Sequence, residues 1–227
     1  MSRNTWWGKT LRFIGIVLMA LTGGFTLLGG IGTSCAAFFP ENPKWIDSLG
    51  ALAPFQWLYI LFVLTGIAIG VWGIWATVKL VRGTSDSYAM SLQALIVGAV
   101  IGGFHIYMSR MLRGNSQPVD MVVYTTVLTL IVFLLFRLPF IWSGVNFDKG
   151  NNKTNNMAGG AAAILLGALT LTIQYTMGST HTWSGVNFAD AFNAAMTLIG
   201  SALIIGGTGF LLRLANFKIT ATSPQVR

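Results

Sequence analysis

The sequence contains few charged residues, and this scarcity sets its broad class. Asp, Glu, Lys and Arg make up 9% of its 227 residues, whereas soluble domains carry about 25%. Because 54% of the chain is hydrophobic, it lacks the polar surface that a soluble fold of this size needs. The apolar residues instead form long runs, which are typical of transmembrane helices.

Several kinds of functional motif are also missing. Cys35 is the only cysteine, so an intrachain disulfide is excluded. The sequence has no P-loop, no His-Glu-x-x-His or Cys-x-x-Cys pattern and no Gly-x-Ser-x-Gly elbow. Zinc hydrolysis, dithiol redox chemistry and serine hydrolysis therefore have no support, and we expect the protein not to be an enzyme.

Six hydrophobic segments are long enough to cross about 30 Å of hydrocarbon at about 1.5 Å per residue. We predict an all-α fold in which residues 1–227 form a single compact bundle of six transmembrane helices. Residues 34–56 are predicted to form a loop, and residues 214–227 a short tail. The predicted spans are 12–33, 57–78, 90–109, 119–141, 158–178 and 190–213.

The first span has an alternative interpretation as a signal peptide. A basic start, an apolar stretch and the small residues Ser34-Cys35-Ala36 are typical of a cleaved leader. The apolar stretch has about 20 residues, however, whereas leaders have about 7–15. The sequence therefore favours a retained first helix.

The basic residues predict the orientation of the spans. The net charge is +8, and only Lys44, Arg110 and Arg113 of the 14 Lys and Arg residues fall on the side opposite the N-terminus. Because basic residues concentrate on the cytoplasmic side, we predict that both termini are cytoplasmic and that loop 34–56 lies outside. The expected location is a bacterial inner, or plasma, membrane. This topology explains the basic excess, so we expect the lipid bilayer and no nucleic acid as a partner.

Small residues recur at four-residue spacing within the predicted spans. Lipid gives no hydrophobic reward for helix association, so membrane helices associate where small residues let their backbones approach closely. We predict that six such residues are helix packing sites. They are Gly66, Gly70, Gly98, Gly102, Ala163 and Gly167.

Potential metal ligands fall near the predicted outer ends of the spans. The two histidines, His105 and His181, share this level with Met108, Met177 and Cys35. Imidazole with thioether or thiolate suits haem iron or copper. These five residues are therefore candidate metal ligands, and the two histidines are candidate cofactor-binding residues. The competing interpretation is that the histidines lie at the membrane interface and the methionines fill apolar space.

The six residues WSGVNF occur twice, at 142–147 and at 183–188. The predicted spans place the first copy inside and the second outside. We interpret both as interfacial turns that precede a helix, with Trp142 and Trp183 as membrane anchors. A remnant of duplication is the alternative. If both copies lay at the same end of the bundle, the map of six spans would be wrong.

The leading functional hypothesis is a non-enzymatic structural or accessory subunit. Small-residue helix faces and the lack of catalytic motifs favour a protein that associates with copies of itself or with a larger membrane complex. One alternative is a transporter or channel for a small solute. The other is a haem- or metal-binding redox subunit that uses His105 and His181.

Overall fold

The computed structural model describes residues 4–150 and 152–221, and it is almost entirely helical. Two strands, β1 (Thr182–Trp183) and β2 (Val186–Asn187), pair antiparallel, and 3₁₀ turns occupy Gly50–Phe55, Gly178–Thr180 and Asp190–Phe192. The α-helices of the described ranges are α1 (Trp6–Gly32), α2 (Ser34–Phe38), α3 (Ile46–Leu49), α4 (Gln56–Arg82), α5 (Ser87–Arg113), α6 (Val119–Phe136), α7 (Pro139–Val145), α8 (Lys153–Leu171), α9 (Ile173–Thr176) and α10 (Asn193–Ala221).

The prediction of an all-α fold is confirmed. Among the residues that the structure describes, five segments are long and apolar enough to cross a membrane. They are Trp6–Phe38, Ile46–Arg82, Ser87–Arg113, Val119–Phe136 and Asn193–Ala215. The fifth predicted span, 158–178, corresponds to α8, which is less apolar because it begins KTNN and is rich in Gly and Ala.

Two helices have boundaries that differ from the predicted spans. The span predicted at 119–141 ends at Phe136, and Pro139, which has no backbone N–H to donate, starts the separate helix α7. The span predicted at 158–178 begins at Lys153, where the Asn152 side chain accepts the Asn155 N–H at 3.0 Å as an N-cap. This helix ends at Leu171. Proline and capping chemistry therefore override the apolar pattern at these ends.

Two segments predicted as loop or tail are partly helical. Residues 34–56 contain α2, α3 and a 3₁₀ turn rather than a simple loop. The predicted tail at 214–227 is helical in its first part, because α10 continues to Ala221. Residues 222–227 lie outside the described residues.

The long helices alternate in direction around α1. Gly30 lies against Gly66 and Gly23 lies against Gly73, so α1 and α4 run antiparallel. The α8 helix runs antiparallel to α10, since Gly160 lies against Leu211 at one end and Gly167 lies near Gly200 at the other. We call one end of the bundle the base: helices α1 and α8 begin there, and helices α4, α6 and α10 end there. The opposite end is the mouth.

Two of the predicted packing glycines lie where α4 crosses α1. A Cβ atom at Gly70 would lie 2.5 Å from Leu27 Cα, and one at Gly66 would lie 3.2 Å from Gly30 Cα. Real Cβ atoms do not approach backbone as closely as the Gly70 position would require. The contact between α1 and α4 therefore depends on the absence of a side chain at Gly70.

The other four predicted packing residues also lie between helices. Gly98 and Gly102 face α6, where a Cβ atom at Gly102 would lie 2.6 Å from a Val123 methyl group. Ala163 and Gly167 face α10. All six positions thus lie where two helices pack against each other.

The two WSGVNF copies lie at opposite ends of the bundle in different conformations. At the base, Gly144 belongs to α7, and its carbonyl accepts a hydrogen bond from Arg12. At the mouth, Ser184 and Gly185 form the turn of the β1–β2 hairpin with φ values of 50° and 75°. The prediction of two similar turns before helices is wrong for the first copy, which ends a helix. Tertiary contacts, rather than these six residues alone, set the local structure.

Two carboxylates at the base have pKa values shifted in opposite directions. The Asp86 carboxylate accepts hydrogen bonds from Lys79 and from Thr84 Oγ1, the latter at 2.8 Å, and these bonds lower its pKa. Burial raises the pKa of Asp148, although Ser87 Oγ donates to it at 3.3 Å. The two groups therefore stabilise the fold in different pH ranges.

We expect Asp86→Asn and Asp148→Asn to change stability with opposite pH trends. A group with a lowered pKa stabilises the fold above its unfolded pKa of about 3.9. The loss of stability in Asp86→Asn relative to the wild type should therefore shrink as pH falls below about 4. A group with a raised pKa stabilises the fold below that value. The stability of Asp148→Asn relative to the wild type should therefore increase as pH rises above about 4. Thermal unfolding in mild detergent across this pH range measures both, and parallel curves for the two variants would contradict the assignment.

Candidate functional site

A cavity of about 640 Å³ opens at the mouth of the bundle. Its wall is built from the end of α1, the segment from α2 to the start of α4, the last turns of α5 and the residues just before β1. We call it the vestibule and define it by six side chains that bear on its chemistry. They are Cys35, Tyr59, His105, Ser109, Arg113 and His181.

The segment between α1 and α4 forms a packed wall of the vestibule. Trp45 is buried, and its Nε1 donates a hydrogen bond to the Phe39 carbonyl at 2.7 Å. Its ring meets the edge of Phe188 at a centroid distance of 5.0 Å, which joins this wall to the hairpin. Ser184 Oγ also donates to the Lys44 carbonyl at 3.1 Å. Segments far apart in the sequence thus hold the vestibule in shape.

His105 lies in an aromatic setting between α4 and α5. Only 8% of its surface is exposed, and its ring stacks on Phe62 with the centroids 4.2 Å apart. The rings of Tyr59 and His105 meet edge to face with their centroids 5.5 Å apart, and the Tyr59 hydroxyl shares a buried hydrogen bond of 2.8 Å with Ser109. The His105 side chain has no hydrogen-bond partner among the described residues. This wall therefore presents an imidazole, a phenol and an alcohol to the vestibule.

Arg113 is the only Lys or Arg side chain among the described residues that line the vestibule. One of its terminal nitrogens donates to the Gln117 carbonyl at 2.6 Å. Its Nε is buried and has no hydrogen-bond partner in the described part of the protein. The nearby carboxylate of Asp120 pairs instead with Arg110, at 3.1 Å. The positive charge of Arg113 is thus without an ion-pair partner within the described ranges.

His181 reaches the vestibule from the turn before β1. Its Nδ1 lies 2.9 Å from the Met177 carbonyl and 3.0 Å from Thr180 Oγ1. A neutral tautomer that donates from Nδ1 to the carbonyl leaves Nε2 as an acceptor on the side of Gly32. The Met177 backbone thereby orients the ring.

The structure brings together only part of the predicted ligand set. Cys35, His105 and His181 line the vestibule, whereas Met108 packs into the apolar cluster around Tyr59. Met177 meets His181 through its carbonyl rather than its sulfur. No three His, Cys, Asp or Glu side chains of the described ranges form a group that could hold a metal ion. The haem or copper site remains a prediction from the sequence.

A second, narrow crevice of about 70 Å³ adjoins the vestibule on the side toward the middle of the bundle. The two cavities share Thr33 and His105, and the crevice reaches Thr126. One turn further toward the base, the hydroxyls of Thr22 and Thr129 share a hydrogen bond of 2.8 Å. The two cavities therefore lie on the mouth side of this threonine pair.

Sequence reasoning missed the role of Arg113, Tyr59 and Ser109 in forming one site. The available signal was that Arg110 and Arg113 break the bias of basic residues toward the other side. Comparison of the chain with protein-family models, curated proteins and solved structures gave no match.

Proposed function

We propose that this protein is a non-enzymatic, six-span protein of a bacterial inner membrane that takes up or passes a small solute through the vestibule. The observation that carries the proposal is that the crevice adjoins the vestibule, sharing the lining residues Thr33 and His105, with the bonded pair Thr22 and Thr129 below it. Transport proteins hold their solutes in such a cavity, open to one side of the membrane and closed to the other. The protein would then be in an outward-open state.

The proposed orientation places the mouth outside and both termini in the cytoplasm. Lys44, Arg110 and Arg113 lie toward the mouth, whereas most basic residues lie toward the base, as the distribution in inner-membrane proteins requires. Helix α8 completes the set of six spans, since its 19 residues extend about 28 Å. Its packing between α1 and α10 supports this assignment.

We expect a membrane-impermeant maleimide added to intact spheroplasts to label Cys35. This residue is the only cysteine and lines the vestibule, which the proposed orientation opens to the outside. Lys149→Cys, made together with Cys35→Ala, is the matched control at the base and should react only after permeabilisation. The reverse pattern of labelling would overturn the orientation.

We expect proteoliposomes to pass at least one small solute faster than protein-free vesicles, with glycerol, urea and lactate as probes. Thr126→Phe should abolish that flux, because Thr126 is buried and lines the crevice. Val127→Phe is the control, because Val127 is 38% exposed on the outside of the same helix. Equal flux through both variants, or no flux of any probe, would contradict the transporter hypothesis.

Self-association is a second candidate function, and the exposed face of α10 favours it. This helix packs chiefly on α8, and a Cβ atom at Gly206 or Gly209 would meet nothing within 4 Å. Together with exposed Ala202, these glycines give a small-residue face on which a second copy of the chain can pack closely. An accessory subunit would use this face to assemble in the membrane.

We expect Gly206→Leu to weaken a dimer in mild detergent by about tenfold or more, since small-residue contacts do not tolerate bulk. Light scattering across a dilution series measures this change. Gly103→Leu is the matched control, because Gly103 on α5 also has open space around it. A protein that is monomeric at every concentration would overturn the self-association hypothesis.

A further inference from the structure

We propose that the vestibule binds a small organic acid, with its carboxylate held by Arg113 and His105. This inference rests on the proposed function, because it names the class of solute that the vestibule takes. Both side chains line the vestibule, and Arg113 is close enough to His105 and Tyr59 to interact with them electrostatically. The guanidinium and the imidazole therefore act on one region of the wall.

The Arg113 guanidinium retains binding capacity that the protein does not use. Its contact with the Gln117 carbonyl fixes the group, while its buried Nε has no partner among the described residues. Leaving the buried Nε–H donor unpaired costs free energy that an acceptor bound beside it recovers. Asp120 does not form that pair, because its carboxylate binds Arg110.

His105 provides a second unused polar group. Its side chain is more than nine-tenths buried, yet its ring nitrogens have no hydrogen-bond partner in the described part of the chain. Because His105 lines the vestibule without a hydrogen bond to the described residues, its imidazole is available to a ligand that enters the cavity. The Tyr59 and Ser109 hydroxyls, which share one hydrogen bond, lie beside it. The hydroxyl that accepts in this bond keeps its own proton free and can donate it to a carboxylate oxygen.

The charge and surface of the vestibule favour a monoanion with an apolar body. One guanidinium balances one negative charge, and its planar donors match a carboxylate. Among the described lining residues the only acidic one is Asp47, which is exposed. Leu52, Pro118 and Val119 supply apolar wall, and the 640 Å³ volume exceeds that of a carboxylate alone. A dianionic phosphate would lack its second cation.

Equilibrium dialysis of the purified full-length protein with radiolabelled benzoate tests the site. We expect lactate to compete with benzoate, and the neutral benzamide to compete at least tenfold less well. Arg113→Gln should weaken benzoate binding by about tenfold or more, the size of one lost charge-assisted contact. Arg113→Lys, which keeps the charge but not the planar donors, should lie between Arg113→Gln and the wild type.

Lys44→Gln is the matched control, because Lys44 lies at the mouth over the ring of Phe188 and outside the vestibule lining. It should bind benzoate as the wild type does. Equal competition by benzamide, stronger competition by phosphate than by lactate, or unchanged binding to Arg113→Gln would overturn the inference. The comparison of benzoate with benzamide uses wild-type protein, so it decides the matter even if Arg113→Gln fails to fold.

The two proposals fail in different ways. Flux of glycerol or urea that Thr126→Phe abolishes, without binding of benzoate, would leave the transport function standing and overturn the carboxylate site. Benzoate binding that depends on Arg113, without flux of any probe, would support the site and contradict transport.

Discussion

Replacing Gly70 by alanine is expected to lower the free energy of unfolding by about 3 kcal/mol, the upper end of the range for overpacking. The added Cβ would lie 2.5 Å from both Leu27 Cα and Leu27 N. These are backbone atoms, so no side chain can rotate away, and α4 has to move off α1. The movement also loosens the neighbouring contacts of Gly30 with Gly66 and of Gly23 with Gly73.

The matched control for Gly70→Ala is Gly103→Ala. No atom lies within 4 Å of a Cβ built at Gly103, although both glycines lie inside long helices. Alanine favours a helix over glycine by about 1 kcal/mol, so the control should be neutral or slightly stabilising. Reversible unfolding in mixed dodecyl sulfate micelles measures both variants. Equal effects of the two substitutions would show that α1 and α4 do not approach as closely as the structure has them.

The sequence predicted the long helices well because hydrophobic runs report directly on burial in lipid. The segments around α1, α4, α5, α6 and α10 are apolar for most of their length, and no local feature competes with that signal. Helix ends are set by single residues instead. Pro139 and Asn152 moved two boundaries through backbone chemistry that a hydropathy pattern does not contain.

The vestibule was only partly predictable from the sequence. Equal depth in the membrane placed His105, His181 and Cys35 near one another, and the structure puts all three in its wall. Depth does not tell which side of a helix a residue occupies. The sequence therefore did not distinguish these three residues from Met108, which packs in an apolar cluster. Nor did it show that Tyr59 and Ser109 meet, because that contact depends on the rotation of α4 against α5.

The repeated hexapeptide shows the same limit at the level of local structure. Gly144 lies in helix α7, and its carbonyl accepts a hydrogen bond from the Arg12 side chain. Gly185 instead lies in the turn of a hairpin and has a positive φ. The six residues are compatible with both conformations. The neighbours that select between them, Arg12 for the first copy and Lys44 for the second, are distant in the sequence.

Arg12→Ala is expected to cost about 1.5–3 kcal/mol, the range for a hydrogen bond to a charged group, with the void that it leaves adding to the loss. Arg12 is 2% exposed within α1, and its Nη1 donates to the Gly144 carbonyl at 2.8 Å across 132 residues of sequence. The substitution leaves that buried carbonyl without its donor and opens a void between α1 and α7.

Two further substitutions separate these effects in the same unfolding assay. Arg12→Lys keeps the charge and much of the volume, so it should recover part of the loss. Arg213→Ala, at an exposed position of α10, should change stability by no more than about 0.5 kcal/mol. If Arg12→Ala were as mild as Arg213→Ala, the bond to Gly144 would not hold α7 against α1. The helical form of the first WSGVNF copy would then need another cause.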